Sequence, residues 1–113
     1  MFKYKVCEKN GESHQLVLSE FPYFGYEDYL KSENINVIST KDDKLVGSLI
    51  YKDKGLIDGV QHVHISYSVV NKLYRGNGIN KGLYNFVVNS FNCPLKINLF
   101  INSKNLIYQI KIL

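Results

Sequence analysis

The chain has 113 residues, of which 45% are hydrophobic and 21% charged, and its net charge is +4. This length and composition predict a single folded domain over residues 1–113 and exclude a disordered chain. No apolar run approaches the roughly 20 residues that cross a bilayer, and no signal-peptide core precedes the domain, so we expect a cytosolic protein without a membrane partner. Cys7 and Cys93 lack metal-ligand spacing, so we expect no metal and two reduced thiols, with a single disulfide as the open alternative.

Charge is distributed unevenly along the chain. Residues 1–58 contain eight Lys and ten acidic residues, whereas residues 59–113 contain five Lys, Arg75 and no acidic residue. A half-chain without carboxylates is typical of a protein with an anionic partner. The alternative is compositional, because nine of the twelve asparagines lie at 71–105 and can replace acidic residues on the surface. Nucleic acid is the least favoured anion, because no standard nucleic-acid-binding motif occurs.

The N-terminal part predicts short strands and a short helix. Residues 2–9 alternate polar and apolar side chains, which indicates a strand that ends at the turn dipeptide Asn10-Gly11. Residues 14–19 are the candidate second arm of that hairpin. After the chain breaks at Pro22, residues 26–32 predict one or two helical turns.

The middle of the chain predicts more sheet. Residues 36–40 and 45–51 are apolar runs around a charged loop, which indicates an antiparallel hairpin, and residues 53–55 predict the next turn. Residues 60–70 then alternate strictly. The pattern predicts a strand with two faces, one carrying Val63, Ile65, Tyr67 and Val69 and the other carrying His62, His64, Ser66 and Ser68.

The C-terminal part predicts a crossover between parallel strands. Residues 79–91 have apolar side chains at helical spacing, residues 95–101 indicate a strand, and Ser103 or Asn105 can cap a final helix. A strand, helix and strand in this order form a right-handed parallel unit. We therefore predict an α/β (α+β) fold with a mixed, mostly antiparallel central sheet.

The run 74–82, Tyr-Arg-Gly-Asn-Gly-Ile-Asn-Lys-Gly, joins the alternating strand to the helix and holds Arg75, the only arginine. Gly76 and Gly78 allow a positive φ and a close approach of the backbone to a ligand. The N–H groups of a helix start, together with Arg75 and Lys81, suit a pyrophosphate. The run fits neither a P-loop nor a dinucleotide fingerprint. The alternative is an ordinary turn whose glycines serve geometry alone.

In its residues and context, the stretch 70–81 resembles the acyl-CoA motif of the GNAT superfamily of N-acyltransferases, Arg/Gln-x-x-Gly-x-Gly/Ala. Arg75 matches the first position and Gly78 the middle glycine, whereas Asn80 stands where the family prefers Gly or Ala. The resemblance covers roughly residues 44–108. It implies a shortened GNAT-like sheet with a β-α-β unit that binds acyl-CoA.

The resemblance also implies how acetyl-CoA, the expected cosubstrate, binds. The strands at 60–70 and 95–101 would splay apart, and the pantetheine arm would lie in the gap beside Ser68, Val69 and Val70. The pyrophosphate would lie on the loop and the helix start, formed by Arg75, Gly76, Asn77, Gly78, Ile79, Asn80 and Lys81. Asn105, as the asparagine that opens the next helix, would complete the cofactor-binding set.

Acetyl transfer to an amine needs a base for the amine, a polarised carbonyl and an acid for the thiolate. His62 and His64 are the candidate bases, because a histidine can accept a proton near neutral pH. Tyr108 is the candidate acid, because the family often uses a tyrosine in its last helix. Structural histidines and a core tyrosine are the alternative interpretations.

Two departures from the family concern the acceptor. The sequence ends at Leu113, where the family normally continues through a final hairpin, and the region between the first two strands is short for two helices. The acceptor is then an exposed macromolecular amine, or a second copy in a homodimer completes the site, or catalysis has been lost.

The aromatic run 21–26 is either a recognition loop or core closure. The resemblance implies an N-acetyltransferase acting on a small amine, a protein lysine or a protein N-terminus, with a non-catalytic CoA-binding or protein-interaction module as the alternative.

Overall fold

The structure is a computed structural model that describes residues 1–6, 11–39, 42–101 and 104–111. These residues form a six-stranded sheet in the order β1-β2-β3-β4-β5-β6. Of its neighbouring strand pairs only β4 and β5 are parallel, so the predicted mixed, mostly antiparallel sheet is confirmed. In chain order the elements are β1 (Phe2–Val6), α1 (Glu12–Leu18), α2 (Tyr26–Leu30), β2 (Glu33–Ser39), β3 (Leu45–Ile57), β4 (Val60–Val70), a 3₁₀ turn (Lys72–Tyr74), α3 (Ile79–Asn89), β5 (Leu95–Ile101) and β6 (Lys104–Lys111).

Helices cover both faces of the sheet. Leu49 and Ile50 are consecutive residues of β3, so their side chains lie on opposite faces. Leu49 belongs to a buried cluster that includes Leu83 of α3. Ile50 belongs to a second cluster, the α1–α2 cluster, formed by Val17, Phe24, Tyr29, Ile50 and Val69. Helix α3 therefore packs on one face, and α1 and α2 pack on the other.

A β-bulge in β4 changes which face its side chains occupy. Ile50 pairs with Tyr67 and Tyr51 pairs with Ile65, so Ser66 is an extra residue in β4. Ile65 consequently packs in the buried cluster that includes Leu83 of α3, whereas Val69 packs in the α1–α2 cluster on the other face. The prediction that Val63, Ile65, Tyr67 and Val69 share one face is wrong, because a bulge inverts the alternation that follows it.

The two parallel strands separate along their length. β4 pairs with β5 only between residues 61–65 and 95–99. Over residues 66–70, β4 has β3 on one side and, within the described chain, no strand on the other. The implied gap between these strands is therefore present, and the backbone groups on that edge of β4 are available to a ligand.

Two local predictions in the first half are wrong. Residues 14–18 belong to helix α1 and Ser19 is its C-cap, so this segment is not a strand; Ser13, His14 and Val17 form a buried face at helical spacing. Residues 53–55 form a second bulge rather than a turn, and the Gly55 N–H donates to Asp53 Oδ1 at 2.8 Å. The chain reverses instead at Asp58 and Gly59, whose φ values of 51° and 79° suit a tight hairpin turn.

The final helix is also a wrong prediction, because strand β6 occupies this part of the chain and pairs antiparallel with β5. Residues 104–111 are rich in isoleucine and include a tyrosine, which favour a strand once a neighbouring edge is available. Ser103 and Cys7 lie outside the described residues. The helices predicted at 26–32 and 79–91 are confirmed as α2 and α3. None of the helices in the described part of the chain has the length and apolarity of a membrane span.

Gly47 allows α3 to lie close to the sheet. A Cβ built at Gly47 would lie 3.1 Å from Ile79 Cγ2 and 3.3 Å from the Val69 carbonyl oxygen. We expect Gly47→Val to lower the free energy of unfolding by about 1–3 kcal/mol, because the larger side chain pushes the start of α3 off the strands. Denaturant unfolding measures this loss. Gly25→Ala is the control, since a methyl there meets no atom within 4 Å, and equal losses in the two variants would contradict the steric explanation.

Candidate functional site

The loop after β4 is anchored at its start. The Asn71 N–H donates to the Val46 carbonyl at 2.8 Å, and Asn71 Oδ1 accepts the Leu73 N–H at 3.0 Å. The Tyr74 ring packs edge-on against Phe2, with ring centroids 6.2 Å apart. These contacts hold the loop against β3 and β1, so that its following residues lie at the carboxyl end of β4.

The two glycines of the loop adopt a backbone conformation that other residues disfavour. Gly76 and Gly78 have φ values of 86° and 72°, and a Cβ on either would meet no atom within 4 Å. Glycine is therefore required for the left-handed conformation rather than for space. Gly78 is the N-cap of α3 and supplies no side-chain cap. The positive end of the helix dipole is thus open to an anion from the loop side.

Charged and polar side chains surround the loop. Arg75 Nε donates to the Val70 carbonyl at 3.3 Å, and Arg75 Nη2 forms an ion pair with Glu20 Oε1. A pocket of about 310 Å³, the loop pocket, opens beside them. Its lining residues are Glu20, Ser68, Val70, Tyr74, Arg75, Gly76, Gly78, Ile79, Asn80 and Lys81.

Eight of the predicted cofactor-binding residues meet at this pocket, and two others with described side chains, Val69 and Asn77, do not line it. Val69 is 2% exposed and packs in the α1–α2 cluster. The Asn77 side chain turns back on the loop, where Nδ2 donates to the Tyr74 carbonyl at 2.8 Å. Asn105 lies in strand β6 rather than at a helix start, so the reason for including it is wrong.

A second cavity, of about 480 Å³, extends along the unpaired edge of β4, and we call it the β4 cavity. It shares Ser68 and Asn80 with the loop pocket, and Ser68 Oγ donates to Asn80 Oδ1 between them. The two spaces therefore adjoin each other at the start of α3. The cavity is lined by Phe21, Phe24, Asp28, Ser32, Lys52, His64, Ile65, Ser66, Tyr67, Ser68, Asn80 and Tyr84.

His64 lines the β4 cavity, whereas His62 does not. Burial lowers the pKa of His64, and the positive charges of Lys54 and Lys52 lower it further. Lys52 pairs directly opposite His64 across β3 and β4. The His64 imidazole is consequently neutral at pH 7 and can accept a proton.

Tyr108 does not have the position that the sequence predicts. Ile97 pairs with Gln109 and Asn98 with Ile107, so Tyr108 is the extra residue of a bulge in β6. Among the residues whose side chains the structure describes, the tyrosines that line the β4 cavity are Tyr67 and Tyr84. Tyr84 lies one helical turn after Asn80. The helix predicted over residues 79–91 therefore places both side chains on the same face, which could have identified Tyr84 as a residue of the site.

The aromatic residues of the run 21–26 divide between the two predicted roles, closure of the core and an exposed recognition loop. Phe24 is 4% exposed and closes the core, whereas Tyr23 is 97% exposed. The rings of Phe21 and Phe24 pack on Tyr67 with centroid distances of 5.0 and 4.5 Å, and both line the β4 cavity. Glu20 and Asp28 could not be predicted from the sequence as lining residues, because no local pattern connects them with residues of β4 or the loop.

No protein-family model matches the sequence, and a search of curated proteins found no match. Solved structures do share its fold. The ribosomal-protein-alanine N-acetyltransferase from Brucella melitensis biovar Abortus 2308 is 17% identical, with a TM-score of 0.67 over 90% of this chain and 82% of that one. A GNAT family acetyltransferase from Elizabethkingia anophelis with acetyl-CoA bound is 19% identical, with a TM-score of 0.63 over 91% and 67%. Arabidopsis thaliana Naa50 in complex with the bisubstrate analogue CoA-Ac-MVNAL is 20% identical, with a TM-score of 0.61 over 90% and 74%.

This chain has the GNAT fold. The resemblance inferred from the run 70–81 is thus supported by a likeness that spans about nine-tenths of the chain. The region between the first two strands, which appeared short for two helices, does contain two. Helices α1 and α2 have seven and five residues and pack on one face of the sheet, and Asp28 of α2 lines the β4 cavity.

The environment of His64 can be tested by titration. We expect a midpoint below the ordinary value of 6.5, because burial and two lysines disfavour the imidazolium ion. Lys54→Gln should raise this midpoint by removing one of the positive charges. NMR titration of the histidine ring protons measures both values. Lys31→Gln is the charge-matched control, and a His64 midpoint at or above 6.5 in the wild-type chain would contradict the assignment.

Proposed function

We propose that this chain is an acetyl-CoA-dependent N-acetyltransferase that transfers an acetyl group to a primary amine. The observation that carries this proposal is that the loop pocket and the β4 cavity adjoin along the unpaired edge of β4, where Ser68 and Asn80 line both. One end has the positive charge and N–H groups that suit a pyrophosphate. The other end has a neutral histidine that can accept a proton.

The proposed binding mode follows from the groups along this path. Arg75, Lys81 and the first N–H groups of α3 bind the pyrophosphate, since helix starts and cations favour phosphate oxygens. The backbone edge of residues 66–70 pairs with the amides of the pantetheine arm, as a strand edge does with an added extended chain. The thioester then reaches the β4 cavity. Acetyl-CoA bound to a chain of this fold in the Elizabethkingia anophelis structure supports this choice of cosubstrate.

In the proposed reaction, the amine nitrogen attacks the carbonyl carbon of the thioester, a C–N bond forms and the C–S bond breaks. His64 accepts the proton that the amine loses, because it lines the β4 cavity in its neutral form. Backbone N–H groups on the open edge of β4 stabilise the negative charge that develops on the carbonyl oxygen. The leaving thiolate takes a proton from the phenolic hydroxyl of Tyr67 or Tyr84, which line the cavity, and exchange with solvent then restores the tyrosine hydroxyl and releases the proton from His64.

The acceptor in this proposal is a small amine, a protein lysine or a protein N-terminus. A polypeptide is supported by the aromatic run beside the β4 cavity, where Tyr23 is 97% and Tyr26 52% exposed. The Brucella melitensis enzyme is also named for a protein substrate, ribosomal-protein-alanine. A panel of peptides with free N-termini and with lysines would distinguish these acceptors.

A second candidate is a non-catalytic CoA-binding module. It is favoured by strand β6, which occupies the part of the chain where the family's helix with a catalytic tyrosine was expected. Both candidates require CoA binding, and only the first requires turnover. Release of free CoA thiol in the presence of acetyl-CoA and the acceptor panel separates them.

We expect acetyl-CoA to stabilise the wild-type chain by about 2.7 kcal/mol at a concentration one hundred times its dissociation constant. Arg75→Glu should abolish the stabilisation, because it replaces a phosphate-binding cation by a carboxylate in the loop pocket. Calorimetric titration and thermal unfolding measure the two effects. Lys72→Glu is the control, because Lys72 is exposed and does not line the pocket. Absence of binding to the wild-type chain at millimolar acetyl-CoA would refute the proposed function.

We expect His64→Asn to reduce kcat by about 10²–10⁴-fold, because the amine loses its general base. The wild-type profile of kcat against pH should fall on the acid side with a midpoint below 6.5, as His64 becomes protonated. His62→Asn is the control, because His62 does not line the β4 cavity. Equal losses in the two variants would remove His64 from its proposed role.

A further inference from the structure

A carboxylate lines the pocket that is proposed to bind an anion. Glu20 follows α1, and its Oε1 forms an ion pair with Arg75 Nη2 across 55 positions of the sequence. Among the described residues that line the loop pocket, Glu20 is also the one that is acidic. A carboxylate beside an arginine occupies the same kind of hydrogen-bonding position as a phosphate oxygen.

The Arg75 side chain has a second anchor that does not depend on Glu20. Its Nε donates to the Val70 carbonyl at 3.3 Å, which keeps the guanidinium near the carboxyl end of β4. Loss of Glu20 would therefore leave Arg75 at the loop pocket. The side chains of Arg75 and Glu20 are 50% and 31% exposed, so the ion pair is screened by water and can be exchanged for a stronger ligand.

Glu20 is connected to the β4 cavity through the next residue. The N–H groups of Glu20 and Phe21 both donate to the Val17 carbonyl, at 3.1 and 2.8 Å. The Phe21 ring lines the β4 cavity and packs on Tyr67 at a centroid distance of 5.0 Å. One short turn thus carries a residue of each pocket.

We propose that Glu20 competes with the pyrophosphate of CoA for Arg75, and that its displacement moves the turn that carries Phe21 at the β4 cavity. This inference rests on the proposed function, because it requires CoA in the loop pocket. The carboxylate lowers CoA affinity by occupying Arg75 and by repelling phosphate. CoA binding releases Glu20 from Arg75, and the position of Phe21 changes with it. CoA binding in the loop pocket is thereby coupled to the position of Phe21 at the wall of the β4 cavity, where the acceptor is proposed to bind.

The first test is the affinity for CoA in calorimetric titrations of the full chain. Glu20→Gln should bind CoA about three- to fivefold more tightly than the wild type, the factor that corresponds to loss of one exposed charge interaction. The difference should shrink as salt rises, because the charges are exposed. Glu27→Gln removes the same charge from α2 outside both pockets, and it should leave the affinity unchanged.

The second test follows Phe21 directly. The chain contains no tryptophan, so Phe21→Trp introduces a single tryptophan at the wall of the β4 cavity, whose fluorescence can be excited separately from that of the tyrosines. CoA should shift the emission of this variant. In the double variant with Glu20→Gln, CoA should cause a smaller shift, because the turn has already lost its link to Arg75. The same comparison with Glu27→Gln should retain the full shift.

The outcomes distinguish this inference from the function on which it rests. If the wild-type chain binds CoA and Glu20→Gln binds it equally or more weakly, the competition is refuted while CoA binding stands. Equal emission shifts with and without Glu20 would refute the link to Phe21. If neither the wild type nor Glu20→Gln binds CoA, the proposed function fails and this inference fails with it.

Discussion

Strand β4 loses its parallel partner after Ile65, and the candidate site depends on this separation. Up to that residue β4 and β5 form a ladder, and from 66 to 70 the β5-facing edge of β4 has no described neighbour. Unpaired backbone groups next to a sheet favour an extended ligand, because burying them without partners is costly. The crossover that leaves β4 at this end also brings the loop and the start of α3 to the same place. The open strand edge, the loop and the helix start therefore lie together at the carboxyl end of β4.

The bulge at Ser66 determines what lines the gap. It places Ser68 toward α3, where its hydroxyl donates to Asn80, and Val69 toward α1 and α2. Without the extra residue Ser68 would face the opposite side of the sheet. Asn80, which departs from the Gly or Ala that the family prefers, has a structural partner in this arrangement. The same bulge keeps Tyr67 under the aromatic residues that follow α1.

Sequence patterns predicted the regular elements around the site better than its contacts. Strand β4, helix α3 and strand β5 follow from strict alternation and helical spacing, and the glycines of the loop follow from their need for a positive φ. Residues 14–19 and 104–111 were assigned to the wrong type of element, because packing and an available strand edge override local propensity there. The pairing of Glu20 with Arg75 and the bulge at Ser66 are tertiary features with no local signature. The acid assigned to Tyr108 depended on a helix that the chain does not form.

The central claim is that acetyl-CoA binds along the open edge of β4 with its pyrophosphate at the loop. Amide NMR spectra of the full chain, recorded with increasing acetyl-CoA, test this claim residue by residue. The account predicts the largest shifts at Gly76, Gly78 and the first turn of α3, followed by residues 66–70 of β4. Saturating acetyl-CoA that leaves these amides unchanged, or that shifts only amides on other parts of the sheet, would contradict it.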